Sequence, residues 1–234
     1  MPTSLIIGGS SGIGLATAAR LSTLGDIVHI AGRNVKSLSE ATRQHPSLIP
    51  HELDAGDFDA VASLAAGVGV VDRLIVTVSG NKGVGPLADL DLERLRSAFD
   101  EKLWPTITAL KAALPHLAHS ASVTLVGAIT ARIGMPETAG IGSLNAAVEG
   151  LVAPLAAELA PVRVNAVSPG YVDTPWWSML DDDARPAVFK QIADGLPTKR
   201  IAAADDIAQV IELLATNPNI TGTVIESDGG ARVA

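Results

Sequence analysis

The chain has 234 residues, 47% of them apolar and only 3% aromatic, with 17 basic against 25 acidic side chains for a net charge of −8. That size and composition suit one α/β unit with a core of Ala, Val, Leu and Ile, and the acidic balance without any Lys/Arg stripe excludes a nucleic-acid surface. The lack of cysteine removes disulfides, thiolate catalysis and Cys-ligated zinc; of the five histidines only His116 and His119 approach a ligand spacing, and no metal is expected.

No basic n-region precedes the first apolar run, so no signal peptide is expected. The apolar stretch Leu151–Val162 is interrupted by Pro154, Glu158 and Pro161, which argues against a membrane span, and a soluble cytoplasmic protein is the expectation. In chain order the spacing predicts a strand at Ser4–Ile7, a helix at Ile13–Leu24, a strand at Ile27–Ala31 and a helix at Val35–Gln44 capped by Asn34. A strand at Leu48–Leu53, a helix at Phe58–Ala66 capped by Asp57, and a strand at Leu74–Val78 follow. The next helix is predicted over Leu92–Leu117, kinked or broken at Pro105 and Pro115, before a strand at Val123–Val126, a helix at Leu144–Ala160 and a strand at Arg163–Val167. Residues 175–198 are turn-rich and acidic at Asp181–Asp183, and read as a lid over a site; a helix at Asp205–Ala215 and a strand at Thr223–Glu226 close the chain. Seven β-branched runs alternating with helices predict an α/β fold: a single domain, 1–234, with a seven-stranded parallel doubly wound sheet and helices on both faces.

Gly8-Gly9-Ser10-Ser11-Gly12-Ile13-Gly14 joins the first strand to the first helix. There, missing side chains let the backbone approach a diphosphate while the helix N-terminus offers oriented N–H groups, as in a Rossmann fold. The spacing resembles the TGxxxGxG motif of the short-chain dehydrogenase/reductase family, with Ile7 for the threonine. The resemblance runs along the whole chain. Leu53-Asp54 is similar to the family's adenine-contacting Asp-Val pair, Ser168-Pro169-Gly170-Tyr171-Val172-Asp173-Thr174 to its PGxxxT loop beside the nicotinamide, and Ser227-Asp228-Gly229-Gly230 to its closing DGG. At the tip of the second strand Gly32 stands where an acid would select NAD, and Arg33 follows with a planar charge suited to an extra phosphate, so NADP(H) is favoured; the alternative for Arg33 is a solvated surface charge. The resemblance implies a cofactor site made of Gly8, Ser10, Ser11, Gly12, Ile13, Gly14, Arg33, Asn34, Asp54, Ala55, Ser79, Gly80, Asn145, Pro169, Gly170, Val172 and Thr174.

The family's proton chemistry does not carry over. Its YxxxK falls on Ile141-Gly142-Ser143-Leu144-Asn145, its serine on Ala128, and its helix asparagine on Lys102; of its NNAG motif, Thr77-Val78-Ser79-Gly80 retains only the glycine. Lysine and asparagine thus occupy each other's family positions, which places one cation and one amide beneath the nicotinamide ribose unless Lys102 points to solvent. Tyr171, the chain's one tyrosine, is a conceivable acid or a packing ring. Catalytic candidates are therefore Lys102, Asn145 and Tyr171, and the substrate pocket, formed by Ala128, Ile129, Ile141, Trp176 and Trp177 with Met135 nearby, is expected to be apolar.

Losing a positioned general acid costs about 10²- to 10⁴-fold, less than a whole enzymatic acceleration. The reading is an atypical NADP(H)-dependent reductase for a small, polarised, apolar acceptor: an imine or iminium, a quinone, an enone or a carbonyl. The alternatives are an NADP(H)-binding protein without redox turnover, acting as sensor, partner subunit or scaffold, and a non-redox isomerase or cyclase. The resemblance further implies a homodimer or homotetramer through the Ala-rich segment Asn145–Ala160.

Overall fold

A computed structural model describes residues 1–80, 82–181 and 183–234; Asp182, within the predicted acidic lid, lies outside the described residues. The chain alternates β1 (Thr3–Ile7), α1 (Gly12–Thr23), β2 (Ile27–Gly32), α2 (Val35–Gln44), β3 (Ile49–Glu52), α3 (Phe58–Val68), β4 (Val71–Val76) and α4 (Leu92–Ala113). It continues with β5 (Leu117–Val126), α5 (Ala139–Gly150), α6 (Val152–Glu158), β6 (Arg163–Pro169), β7 (Val172–Asp173), α7 (Arg185–Gly195), β8 (Ala202–Ala203), α8 (Ala204–Thr216) and β9 (Val224–Ser227). Seven strands form one parallel sheet in the order β3-β2-β1-β4-β5-β6-β9, and β7 pairs with β8 in a small second sheet.

Alternation within each strand sends side chains to two cores. Leu5 and Ile7 of β1, Leu74 of β4 and Leu125 of β5 meet Val61, Ala109 and Val148 from α3, α4 and α5. Ile6, Ile30 and Ile75 point the other way, against Leu21, Leu38 and Ile211 from α1, α2 and α8. Each fully buried Leu or Ile contributes roughly 1.5–3 kcal/mol against exposure, so both faces of the sheet are sealed by helices. Crossovers from β1 run outward to β2 while those from β4 run to β5, and their divergence leaves a crevice at the carboxyl ends of β1 and β4.

The seven-stranded doubly wound fold is as predicted, but several boundaries are corrected. β4 lies earlier, at Val71–Val76 rather than Leu74–Val78, because from Thr77 onward the chain turns into the crevice. β5 starts at Leu117 and passes an irregularity opposite Val71/Arg73. α4 is not broken at Pro105, whose ring is buried near the Gly56 turn; packing along 22 residues outweighs the lost hydrogen bond, and the helix gives way to a 3₁₀ turn only at Leu114–His116. The helix predicted over Leu144–Ala160 is two. Pro154 cannot donate to the carbonyl of Gly150, so α5 ends there and α6 restarts with the proline in its first turn, where no donor is needed. The segment predicted as a lid contains a 3₁₀ turn at Pro175–Met179 and the helix α7, neither of which was anticipated.

Candidate active site

The turn from Gly8 to Gly14 is shaped by close approach. Gly8 has φ +92, and a Cβ on Gly14 would lie 2.2 Å from the Gly8 carbonyl oxygen. Thr77 donates to the carbonyls of Ile7 (3.2 Å) and Gly8 (3.0 Å), pinning the turn to the end of β4. Ser11 is the N-cap of α1 but makes no side-chain cap, and no acidic residue occupies that helix's first turn, so among the described residues nothing takes the amides beginning at Gly12 and Ile13, which suits an anion. By contrast α2, α3 and α4 are capped by the side chains of Asn34, Asp57 and Asp91. A cradle that a Cβ would fill, ending on uncapped amides, fits a diphosphate, so these residues fit the nicotinamide dinucleotide that the fold implies.

Next to the cradle, at the tip of β2, Arg33 is exposed and makes no ion pair among the described residues. A Cβ on Gly32 would meet Ser10 Oγ at 3.1 Å, so an acidic side chain there would have to displace Ser10. Asn34 uses its side-chain oxygen on Ser37 N (3.0 Å), leaving its amide NH₂. Asp54 accepts from Gly56 N (2.9 Å) through one oxygen and keeps the other exposed, beside the buried Ala55.

Opposite the cradle, the loop after β6 closes the crevice. A Cβ on Gly12 would touch Thr174 at 3.3 Å, which brings Thr174 over the diphosphate turn. A Cβ on Gly170 would sit 2.7 Å from Asp228, so the Ser227–Gly230 turn buttresses Pro169 and Gly170; Val172 is buried beneath them. The segment predicted as a lid reaches the loop after β4: Trp176 Nε1 donates to the carbonyl of Gly80 (3.1 Å), just after Ser79. Trp177 packs edge-on against both Trp176 (4.9 Å) and Phe189 of α7 (5.5 Å). Tyr171 stacks on Trp177 (6.3 Å), and its hydroxyl lies 3.4 Å from Met135 Sδ.

The deep end of the crevice holds the exchanged pair. Lys102 does not reach solvent: it is 6% exposed, and its ammonium donates to Asn145 Oδ1 (2.7 Å) and to the carbonyl of Gly127 (3.2 Å). Burial pushes it down to about 8, against the upward pull of the nearby Glu149 carboxylate. Asn145, 2% exposed on α5, donates to the Ile141 carbonyl (3.0 Å) and to Thr130 Oγ1 (2.9 Å). Ala128 caps a 3₁₀ turn through Ile129, Thr130 and Ala131; Ile129 is 5% exposed and so lies under the pocket wall more than on it. Ile141 is half-buried in the first turn of α5. The sequence reading gave no part to the hydroxyls of Thr77 and Thr130, because each is tied into the crevice by partners distant in the chain.

A family model described as "Enoyl-(Acyl carrier protein) reductase" matches residues 8–232. The short-chain dehydrogenase/reductase malC of Malbranchea aurantiaca is 31% identical, over 97% of this chain and 92% of its own. Among solved structures, a small-chain dehydrogenase in complex with NADPH superposes with a TM-score of 0.87 at 33% identity, covering 100% of this chain and 99% of that one. The structure of the MalC reductase/Diels-Alderase from the same organism superposes at 0.89 with 27% identity, covering 98% of this chain and 95% of that one. Matched along nearly its full length by sequence and by backbone, and carrying a diphosphate cradle at the switch point of its sheet, the chain belongs to the short-chain dehydrogenase/reductase family of oxidoreductases.

Proposed function

We propose that the chain is an NADP(H)-dependent reductase acting on a small, polarised, largely apolar acceptor: an imine or iminium, a quinone, an enone or a carbonyl. In this reading the amides from Gly8 to Gly14, with Ser10 and Ser11, hold the diphosphate, and Arg33 with the free amide of Asn34 holds the phosphate on the adenosine ribose. Asp54 and Ala55 flank the adenine, while Ser79, Gly80, Asn145, Pro169, Gly170, Val172 and Thr174 line the nicotinamide half. The family neighbour solved with NADPH supports the same choice of cofactor.

The observation that carries the reading is the buried Lys102–Asn145 pair beside an intact cradle. Bound cofactor supplies the hydride. Lys102 keeps a cation beneath that half of the crevice; two of its three N–H groups are engaged with Asn145 and Gly127, and the third, which has no partner among the described residues, is left for a ribose hydroxyl. Ile141 and Ala128 provide no proton, so acceptors that cancel or delocalise charge are favoured over simple ketones. Trp176 and Trp177 cover the pocket and keep water away from the reacting carbon. Tyr171 forms the wall next to Met135.

Mixing the protein with 4-deuterated NADPH and a panel of imines, quinones, enones and ketones tests this. Deuterium in at least one product is expected; saturable NADPH binding with no deuterium transferred to any acceptor refutes the reductase reading. A second reading, a cofactor-holding protein that performs non-redox cyclisation, is favoured by the missing hydroxyls together with the likeness to a relative described as both reductase and Diels-Alderase.

A further inference from the structure

When hydride reaches a carbonyl, quinone or enone, negative charge collects on oxygen, and a donor fixed beside that oxygen lowers the barrier. Ala128 and Ile141 cannot donate. Four hydroxyls stand on the segment between β5 and α5, on α5 itself and on the Gly170–Tyr171 link between β6 and β7: Thr130, Thr138, Ser143 and Tyr171. Thr138 donates to the Met135 carbonyl (2.7 Å), Ser143 to the Gly140 carbonyl (2.7 Å) and Tyr171 to Met135 Sδ (3.4 Å). Thr130 donates to none of the described residues, and the reason is chemical. The Lys102 ammonium has only protons to give, so the Asn145 atom 2.7 Å from it is the oxygen; the Ile141 carbonyl can only accept, so the atom 3.0 Å from it is the nitrogen. The second N–H of that nitrogen runs 2.9 Å to Thr130 Oγ1, which therefore accepts, and the threonine's own proton is turned away from Asn145.

We propose that the Thr130 hydroxyl is the hydrogen-bond donor to the developing oxyanion of the acceptor, taking over what the missing serine and tyrosine would do, with Asn145 and Lys102 as positioning residues behind it. The chain of bonds from ammonium to amide to hydroxyl polarises each donor by the one before, which strengthens the last. Thr130 gives up no proton: the electron pair displaced as hydride adds to carbon moves onto the acceptor oxygen, the O–H holds it there, and water protonates that oxygen once the product leaves the covered pocket. This rests on the reductase reading and narrows it to acceptors whose charge collects on oxygen, quinones and enones, over imines and iminium ions.

The test compares wild type with Thr130→Val and Thr130→Ser. With 1,4-naphthoquinone as probe, Thr130→Val is expected to lower kcat by about 10- to 100-fold while the quinone KM and the calorimetric Kd for NADPH stay within about twofold, and Thr130→Ser is expected to restore kcat. Independently of turnover, 4-nitrophenol bound to the NADP⁺ complex mimics the oxyanion; its ionisation midpoint should lie lower in wild type and Thr130→Ser than in Thr130→Val. A kcat for Thr130→Val within about twofold of wild type overturns the proposal, as does an NADPH affinity that falls in step with kcat. Equal nitrophenol midpoints in all three proteins, or no binding of it by wild type, overturn it as well. A wild type that reduces no acceptor sinks the reductase reading, while the nitrophenol midpoints still decide Thr130.

Discussion

Arg33 and Lys102 carry the same charge in opposite surroundings, and each makes a separate forecast. Arg33 lies exposed at the tip of β2, beside a glycine that leaves room and no negative charge. Arg33→Ala is expected to weaken NADPH by about 10- to 100-fold and leave NADH unchanged in calorimetry, the scale of one or two charge-assisted hydrogen bonds. Lys102 is sealed between α4 and α5, and its folded value of about 8 lies below the ordinary 10.5. Below pH 8 both folded and unfolded chains hold the proton and the full penalty of a buried cation applies; between 8 and 10.5 the unfolded chain binds more protons, so stability rises with pH. Lys102→Met should therefore raise the unfolding free energy at pH 7 by about 1–2 kcal/mol, after loss of the bond to Asn145, and denaturation at stepped pH should show that gain fading toward the alkaline end of the window. NADPH affinity is expected to fall above pH 8 in wild type and to lose that pH dependence in the variant. At Tyr171, whose ring stacks on Trp177 and whose hydroxyl meets a thioether, Tyr171→Phe is expected to keep turnover with an unchanged pH profile.

Whether a glycine is needed depends on what its missing Cβ would meet. On α1, Gly14→Ala drives a methyl group to 2.2 Å from the Gly8 carbonyl, which only a shift of helix or cradle relieves. A loss of roughly 1–3 kcal/mol in stability is expected, together with loss of NADPH binding in calorimetry. On α3, Gly67 faces open space, so Gly67→Ala should stabilise by about 0.5–1 kcal/mol in urea unfolding without touching the cofactor. The same reasoning explains why the start of α5 was misplaced. Gly140 and Gly142 weaken helix propensity and read as loop, but a Cβ at either would lie 2.6 Å from the carbonyl of Gly83 or Thr130, and contact across the crevice is what demands them.

At the scale of the molecule, α4 leaves Leu92 and Trp104 exposed at 60% and 56%, and α5 with α6 forms an apolar stretch, Ala139–Glu158, long enough by length and composition to cross a membrane yet packed by one face on the sheet. Solvent contact of that extent suits an interface between copies, in line with the homodimer or homotetramer expected from the family. Sedimentation velocity should show such an assembly, and Trp104→Glu should shift it toward smaller species; a wild-type monomer would contradict the expectation.

Alternating β-branched runs, the glycine turn after β1 and the residue types at Gly32 and Arg33 are local patterns. They sufficed for the sheet, its parallel sense and the tight glycine turn that follows β1, because backbone conformation and side-chain periodicity act within a few residues of chain. The same local view also led to the expectation that Ala128, Ile141, Asn145 and Lys102 stand where the family's proton machinery would be. It left the direction of Lys102 open and passed over Thr130. A lysine on one helix, an amide on another and a hydroxyl after β5 become neighbours only when α4 and α5 pack side by side on the sheet, and the amide's orientation, and with it the direction of the Thr130 hydroxyl proton, follows from which partners that packing sets at hydrogen-bond distance.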